Sequence, residues 1–221
     1  MSERENIFAR IREALAVPAH GHGGGLPTVA EQRRVMPAVD DTFDGQLALF
    51  ARNAADLRAD FQMVRDLDEL KTRLLTLSTT EGWKKVAAHD GRLSGAAAWA
   101  LGLPVILTDG GYDARELETC NVGITECDAL VAQTGSVLIT SRSAGGRALS
   151  ILPPHHVVIA RREQLVADLP AAFERLRQKY GTDQPSMISF VTGPSRTGDI
   201  ERILVLGAHG PKLLTIFCLS D

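Results

Sequence analysis

The ten residues Thr192–Glu201, TGPSRTGDIE, place two glycines, a proline, three hydroxyls, an arginine and two acids between the apolar runs Met187–Val191 and Ile203–Leu206. A plain turn needs far less. Gly193-Pro194 signals a sharp bend that gathers backbone N–H groups, Ser195 and Thr197 supply hydroxyls, and Arg196 supplies a planar fork for a carboxylate or phosphate. That inventory suits a small anionic ligand held beyond the carboxyl end of a strand, where open α/β sheets bind theirs. The competing structural reading is a turn followed by a capped helical piece, with Asp199 and Glu201 favoured by the helix dipole. Ser195, Asp199 and His209 also occur in the order nucleophile, acid, base. A hydrolase reading fails on spacing, because a nucleophile elbow needs glycine two places after the serine, where Thr197 stands.

Other groups could join that loop. Thr134-Gly135-Ser136 links two strand candidates through a glycine flanked by hydroxyls, a pattern that equally suits a plain hairpin corner. Ala144–Arg147, AGGR, is a flexible turn ending in an anion donor, yet it lacks the lysine of a Walker loop, and a solvent-facing arginine is its bland reading. His155 and His156 begin a strand, so their side chains point to opposite faces and at most one faces any given site. His209, between two glycine bends, has the chemistry of an acid or base near neutral pH, as well as that of a hydrogen-bonded structural histidine. His20 and His22 cannot close a zinc site by themselves. No HExxH, GxGxxG or GxxxxGK[ST] motif occurs, and no metal site is expected.

The elements that must position these groups read as α/β. The chain of 221 residues is long enough for one large domain with an appendage, and its net charge of −3 gives no nucleic-acid footprint. The apolar stretch 95–107 is broken by Pro104 and too short for a membrane span, and the amphipathic N-terminus lacks the apolar core of a secretion signal, so the cytoplasm is the expected location. Cys120, Cys127 and Cys218 make neither a disulfide framework nor the four ligands of an iron–sulfur cluster.

Ser2 and Glu5 have capping-box spacing, and Ile7, Phe8, Ile11, Ala14 and Leu15 then line one helical face. Residues 17–41 lack periodicity and read as a linker, so that 1–42 is an N-terminal helical arm and 43–221 the main domain. Phe43, Leu47, Phe50, Ala54, Leu57 and Phe61 predict a helix of about five turns. A second helix is expected over Leu67–Leu77, a short apolar one over Gly95–Leu101, and a sheet-packed one over Leu165–Tyr180. Strands are expected at 85–89, 104–107, 121–125, 129–132, 137–140, 157–160, 188–191, 203–206 and 213–219. Their apolar character predicts a mixed or parallel sheet flanked by helices on both faces.

Three segments carry a resemblance: NVGITECDALVAQTGSVLITS (121–141), GGRALSILPPHHVVIA (145–160) and, most specifically, FVTGPSRTGDIERILVLGAHGP (190–211). They resemble the LutC/YkgG family of LUD-domain proteins, and RENIFARIREAL resembles that family's N-terminal arm. The resemblance implies a fold similar to the NagB/RpiA/CoA transferase-like superfamily. It also implies a part in oxidising L-lactate to pyruvate within a complex whose iron–sulfur clusters sit in partner proteins, this chain binding no cofactor itself. The family motif carries onto Thr134, Gly135, Ser136, Gly146, Arg147, Pro153, His156, Gly193, Pro194, Ser195, Asp199, Glu201, His209, Gly210 and Pro211. Gln133 stands where a glutamate is expected, and an amide cannot serve as a general base. From the residues, Arg196 and the Gly193–Thr197 backbone are expected to hold the substrate carboxylate, with His209 as base. The alternatives are a stand-alone enzyme acting on a phosphosugar or acyl-CoA, and a non-catalytic subunit; a homo-oligomer is compatible with each.

Overall fold

Short strands alternating with capped helices force most of this chain into parallel crossovers. The structure, a computed structural model, describes residues 3–16, 37–197, 205–207 and 209–220. The chain divides into two units, Met1–Ala38 and Val39–Asp221. In the first, α1 (Glu3–Ala16) has Glu3 and Glu5 in its opening turn, where acids suit the helix dipole, and Ile7, Phe8, Ile11 and Leu15 are exposed along it. Ser2 of the expected capping box and residues 17–36 of the expected linker lie outside the described residues.

The second unit opens with α2 (Phe43–Asp56), started by Thr42, whose Oγ1 accepts the Gly45 N–H at 3.1 Å. The helix stops earlier than its apolar pattern predicts. Arg58 takes a positive φ of 64°, and Phe61 belongs instead to β1 (Asp60–Val64). Phe61 fits the helical stripe because its ring packs edge-on against Phe50, 4.9 Å away, in the same core. Next come α3 (Leu67–Glu81), capped by Asp66 and closed by Gly82 in the left-handed region, β2 (Val86–Ala88), α4 (Ser94–Ala100), β3 (Val105–Leu107), α5 (Ala114–Glu118) and β4 (Val122–Glu126). The remainder is β5 (Ala129–Val131), β6 (Ser136–Thr140), β7 (His155–Arg161), β8 (Leu165–Val166), α6 (Leu169–Tyr180), β9 (Ile188–Val191), β10 (Arg196–Thr197), β11 (Val205–Leu206) and β12 (Leu213–Leu219).

Leu165 and Val166 were expected in the helix that follows them. The helix begins four residues later because Asp168 caps it, accepting the Ala171 N–H at 2.9 Å, with Pro170 in the first turn. Both residues are apolar for another reason: as β8 they pack against cores on the two faces of the small sheet.

Six strands form an all-parallel sheet in the order β1-β12-β7-β4-β2-β3, and four form a mixed sheet in the order β8-β5-β6-β9. On one face of the parallel sheet, Leu70 and Leu74 of α3 and Ala97 of α4 bury Ile124, Ile159 and Phe217. On the other, α2 and the inner face of the mixed sheet cover Val158 and Ile216 through Phe50, Leu130 and Ile139. Helix α6 closes the outer face of the mixed sheet on Ala129, Val131 and Leu138. The expected α/β architecture, with its sheet covered on both faces, is therefore the one observed. Among the described residues no helix is long and apolar enough to cross a membrane.

A buried ionic anchor holds α6 in place. The Asp128 carboxylate, 1% exposed, lies 2.6 Å from Lys179 Nζ and accepts the Tyr180 hydroxyl at 2.8 Å. Burial works against the charge on Asp128, but hydrogen bonds from Lys179, Ser143 and Tyr180 outweigh it and hold the carboxyl below its ordinary range.

Candidate functional site

The described ends of the signature loop run antiparallel, and the stretch 198–204, where the capped helical piece was expected, lies outside the described residues. Arg196 and Thr197 pair antiparallel with Leu206 and Val205, while Asp199 and Glu201 lie outside the described residues. The loop follows the carboxyl end of β9, but β9 is an edge of the mixed sheet and not a strand of the parallel one. Its seat is the carboxyl end of α2. Asn53 Nδ2 donates to the carbonyls of Ala132 (2.9 Å) and Gln133 (3.1 Å), clamping the turn between β5 and β6 on the helix. At Gly135, φ is +64° and a Cβ would come within 2.8 Å of Asn53 Cβ, so glycine is required by both conformation and contact. Ser136 Oγ lies 2.8 Å from Thr192 Oγ1 and ties this turn to the loop after β9. Gly193, at φ +83°, passes so close to α2 that a Cβ there would sit 2.7 Å from the Leu57 carbonyl oxygen.

Thr134, Gly135, Ser136, Gly193, Pro194 and Ser195 are thus brought to one place. Ser195 has its backbone engaged: its N–H donates to the Pro211 carbonyl and its carbonyl accepts the Gly207 N–H, each at 2.9 Å. The Ser195 N–H is accordingly not available to an anion. Arg196 and His209 are exposed, and Gly210 lies against the Ser195 side chain. Arg147 is elsewhere, exposed and donating from Nη2 to the Ser186 carbonyl at 2.7 Å. Gly146 precedes it in the same turn, and Pro153 is buried ahead of β7.

His155 and His156 are both buried on opposite faces of β7. His155 Nε2 lies 3.0 Å from Thr215 Oγ1 and its ring stands edge-on to Trp83, whereas His156 Nε2 lies 2.9 Å from Thr125 Oγ1. Burial holds the first at about 4 and the second at about 3, so both rings are neutral packing groups near pH 7. The thiols are equally quiet. Burial raises Cys120, pushes Cys218 up to about 12 and lifts Cys127 well above the ordinary range.

A second concentration of polar groups lies where sequence reasoning placed none. Strands β2 and β4 are neighbours, and the chain leaves β2 toward β3 but leaves β4 toward β7; the gap between their carboxyl ends is a topological switch point. His89 follows β2, and Glu126 ends β4. Glu126 Oε1 accepts the N–H groups of Leu93 (2.7 Å) and Ser94 (3.2 Å), fixing the start of α4. Asp109, just beyond β3, accepts the Asp90 N–H at 2.6 Å, and Thr108 Oγ1 donates to the Gly145 carbonyl at 2.8 Å, bringing the AGGR turn over His89. Burial lowers the His89 ring against the pull of Glu126, Asp109 and Asp90 and of a hydrogen bond to the Ser143 backbone. Its Nε2 is buried with no partner. The signal in the sequence is a histidine and an acid directly after a short apolar run, HDG at 89–91, but only the fold brings Glu126 and Asp109 to it.

Comparison with known proteins adds what geometry alone does not. A family model described as the LUD domain matches residues 3–219. A lactate utilization protein C of Shouchella clausii is 29% identical, the alignment covering 100% of this chain and 99% of that protein. One of Bacillus velezensis is 26% identical, with 100% and 97% covered. Among solved structures, a DUF162 family protein from Deinococcus radiodurans has a TM-score of 0.65 at 19% identity over 82% of this chain and 100% of that one, a likeness of fold. Matched along almost its whole length, the chain belongs to the LUD-domain family, in the lactate utilization protein C group.

Proposed function

We propose that this protein acts in lactate utilization, as one component of a cytoplasmic assembly that oxidises L-lactate to pyruvate. The observation that carries the proposal is the end-to-end similarity to two relatives named lactate utilization protein C, which leaves almost no part of either chain unmatched. The reaction removes two electrons and two protons from the hydroxyl-bearing carbon and its oxygen. In this reading the electrons and the hydrogen on carbon would leave to the partner proteins, whose iron–sulfur clusters would carry the electrons away, and this chain's residues would bind the substrate and take up the hydroxyl proton. The exposed Arg196 guanidinium would hold the lactate carboxylate, since the Ser195 N–H beside it is already bonded, and the exposed His209 would accept the hydroxyl proton.

Two measurements test the proposal. Tagged protein purified from its own cells grown on lactate should bring down cysteine-rich iron–sulfur proteins, identified by mass spectrometry. A deletion strain should fail to grow on L-lactate, recover with the wild-type gene, and recover poorly with Arg196→Ala or His209→Ala. Undiminished growth of the deletion strain refutes the role; full recovery with both variants keeps the role and refutes the residue assignment. Turnover of a phosphosugar or an acyl-CoA by the isolated chain would select a stand-alone enzyme instead.

A further inference from the structure

The fold leaves one ring nitrogen at the switch point without a partner. His89, 6% exposed, stands just past the carboxyl end of β2, beside the gap between β2 and β4, and its Nε2 is buried and unbonded. The ring is hydrogen-bonded to the Ser143 backbone, whose carbonyl also accepts the Glu126 N–H at 3.1 Å. A carbonyl can only accept, so the ring proton is assigned to Nδ1 and Nε2 keeps its lone pair. A buried acceptor without a donor is rare in a folded protein and marks an unmet hydrogen bond.

What surrounds that lone pair is a set of acceptors. Gly91 has no room for a side chain, because His89 Cε1, Glu126 Oε1 and Ser94 Oγ all close on the position its Cβ would take. The ring edge that carries Nε2 is thereby gathered with the Glu126 carboxylate. Oε1 of Glu126 is engaged by Leu93 and Ser94, whereas Oε2 accepts nothing among the described residues. The charges acting on the ring are those of Glu126, Asp109 and Asp90, all acids. Of the nearby arginines, Arg92 faces a cavity that it shares with Asp66 and Asp68, and Arg147 donates to the Ser186 carbonyl. Among the described residues no three His, Cys, Asp or Glu side chains are placed to hold a metal ion.

The ring also has a cover. A Cβ on Gly145 would come within 2.8 Å of His89 Cγ, and Thr108 Oγ1 latches the Gly145 carbonyl at 2.8 Å. Gly145 and Gly146 take φ of +59° and +106°, which only glycine adopts freely.

We propose that His89 Nε2 and the Glu126 carboxylate form a binding site for a small organic ammonium ion, reached when the Gly145–Gly146 turn lifts from the ring. The ligand's N–H supplies the donor that Nε2 lacks, and its charge meets the three acids. The same acids repel a carboxylate, so this site is independent of the proposed role in lactate oxidation.

The test is a long-range proton–nitrogen NMR spectrum of the nitrogen-15-labelled full chain at pH 7.5, with the His89 ring assigned by its loss in His89→Gln. Methylammonium is the probe, titrated to about 100 mM because so small a ligand binds weakly even at its best. The His89 Nε2 resonance should move saturably with methylammonium. It should stay still with tetramethylammonium, which has no N–H to give, and with glycerol, which has no charge. Glu126→Gln keeps an oxygen for the Leu93 and Ser94 N–H groups and should weaken binding about tenfold. Thr108→Val removes the latch and should speed exchange of the probe. An Nε2 resonance that no probe moves marks a nitrogen met by buried water alone and overturns the proposal. So does binding of equal strength in Glu126→Gln, or a saturable shift produced by L-lactate instead.

Discussion

Acidification to pH 5 should strip this protein of a large part of its stability, through His155 and His156. Both rings are buried in β7 and held neutral, at about 4 and about 3, with only Asp60 pulling His155 the other way. An unfolded chain returns each to its ordinary value near 6.5. Between those limits the unfolded state binds more protons than the folded one, so stability rises with pH and is lost as pH falls below 6.5. At pH 5 each ring withholds a proton worth about 2 kcal/mol relative to pH 8, about 4 kcal/mol for the pair. Against a typical total of roughly 5–15 kcal/mol that loss is severe. The assay is urea unfolding at pH 8, 6.5 and 5, followed by the fluorescence of buried Trp83. With a slope of about 2.5 kcal/mol/M the midpoint should fall by roughly 1.5 M from pH 8 to pH 5. His156→Gln keeps a polar group for Thr125 but cannot titrate, and should remove about half of that fall. A midpoint that does not move, or a variant that keeps the full dependence, would show that the histidines do not control acid stability.

Two further outcomes follow from buried groups. Asp128→Ala removes the acceptor that Lys179 and the Tyr180 hydroxyl share and, because the Lys179 side chain is half exposed and regains water, should lower unfolding free energy by about 2 kcal/mol, read from urea midpoints at pH 7.5. A loss below ~1 kcal/mol would mean that α6 is held by its apolar face alone. Cys120, Cys127 and Cys218 should resist a disulfide reagent at pH 8 in the native state and all react in urea, counted by absorbance. Prompt labelling of any thiol in the folded protein contradicts its burial.

Much of the scaffold is legible in the residues, and the exceptions have physical causes. Leu213–Leu219 forms a strand over the very residues its β-type run marks, because a strand buried on both faces reads as a continuous apolar run, and Ile188–Val191 matches its run as a half-buried edge strand. Phe61 and Leu165 mislead for one shared reason. Each is apolar for a core that a helix and a strand both touch, so helical spacing continues past the point where the backbone has changed course. The Thr134–Ser136 and Thr192–Ser195 groups were recognisable as motifs, but their common seat on α2 depends on Asn53, a residue with no pattern around it. His89, Asp109 and Glu126 were illegible because each ends or follows a different strand, and only the parallel order of β3, β2 and β4 makes them neighbours.

The position of β12 bears on how the protein is made. This strand lies between β1 and β7, pairing with the first strand of the sheet on one side and with a strand more than fifty residues earlier on the other. During vectorial synthesis β1 waits without a partner, and the edge of β7 stays open, until residues 213–219 have left the ribosome. A nascent chain in that condition carries two unpaired apolar strand edges, the usual template for misassociation. Closure is long-range and late, which favours slow folding and engagement by holding chaperones before release.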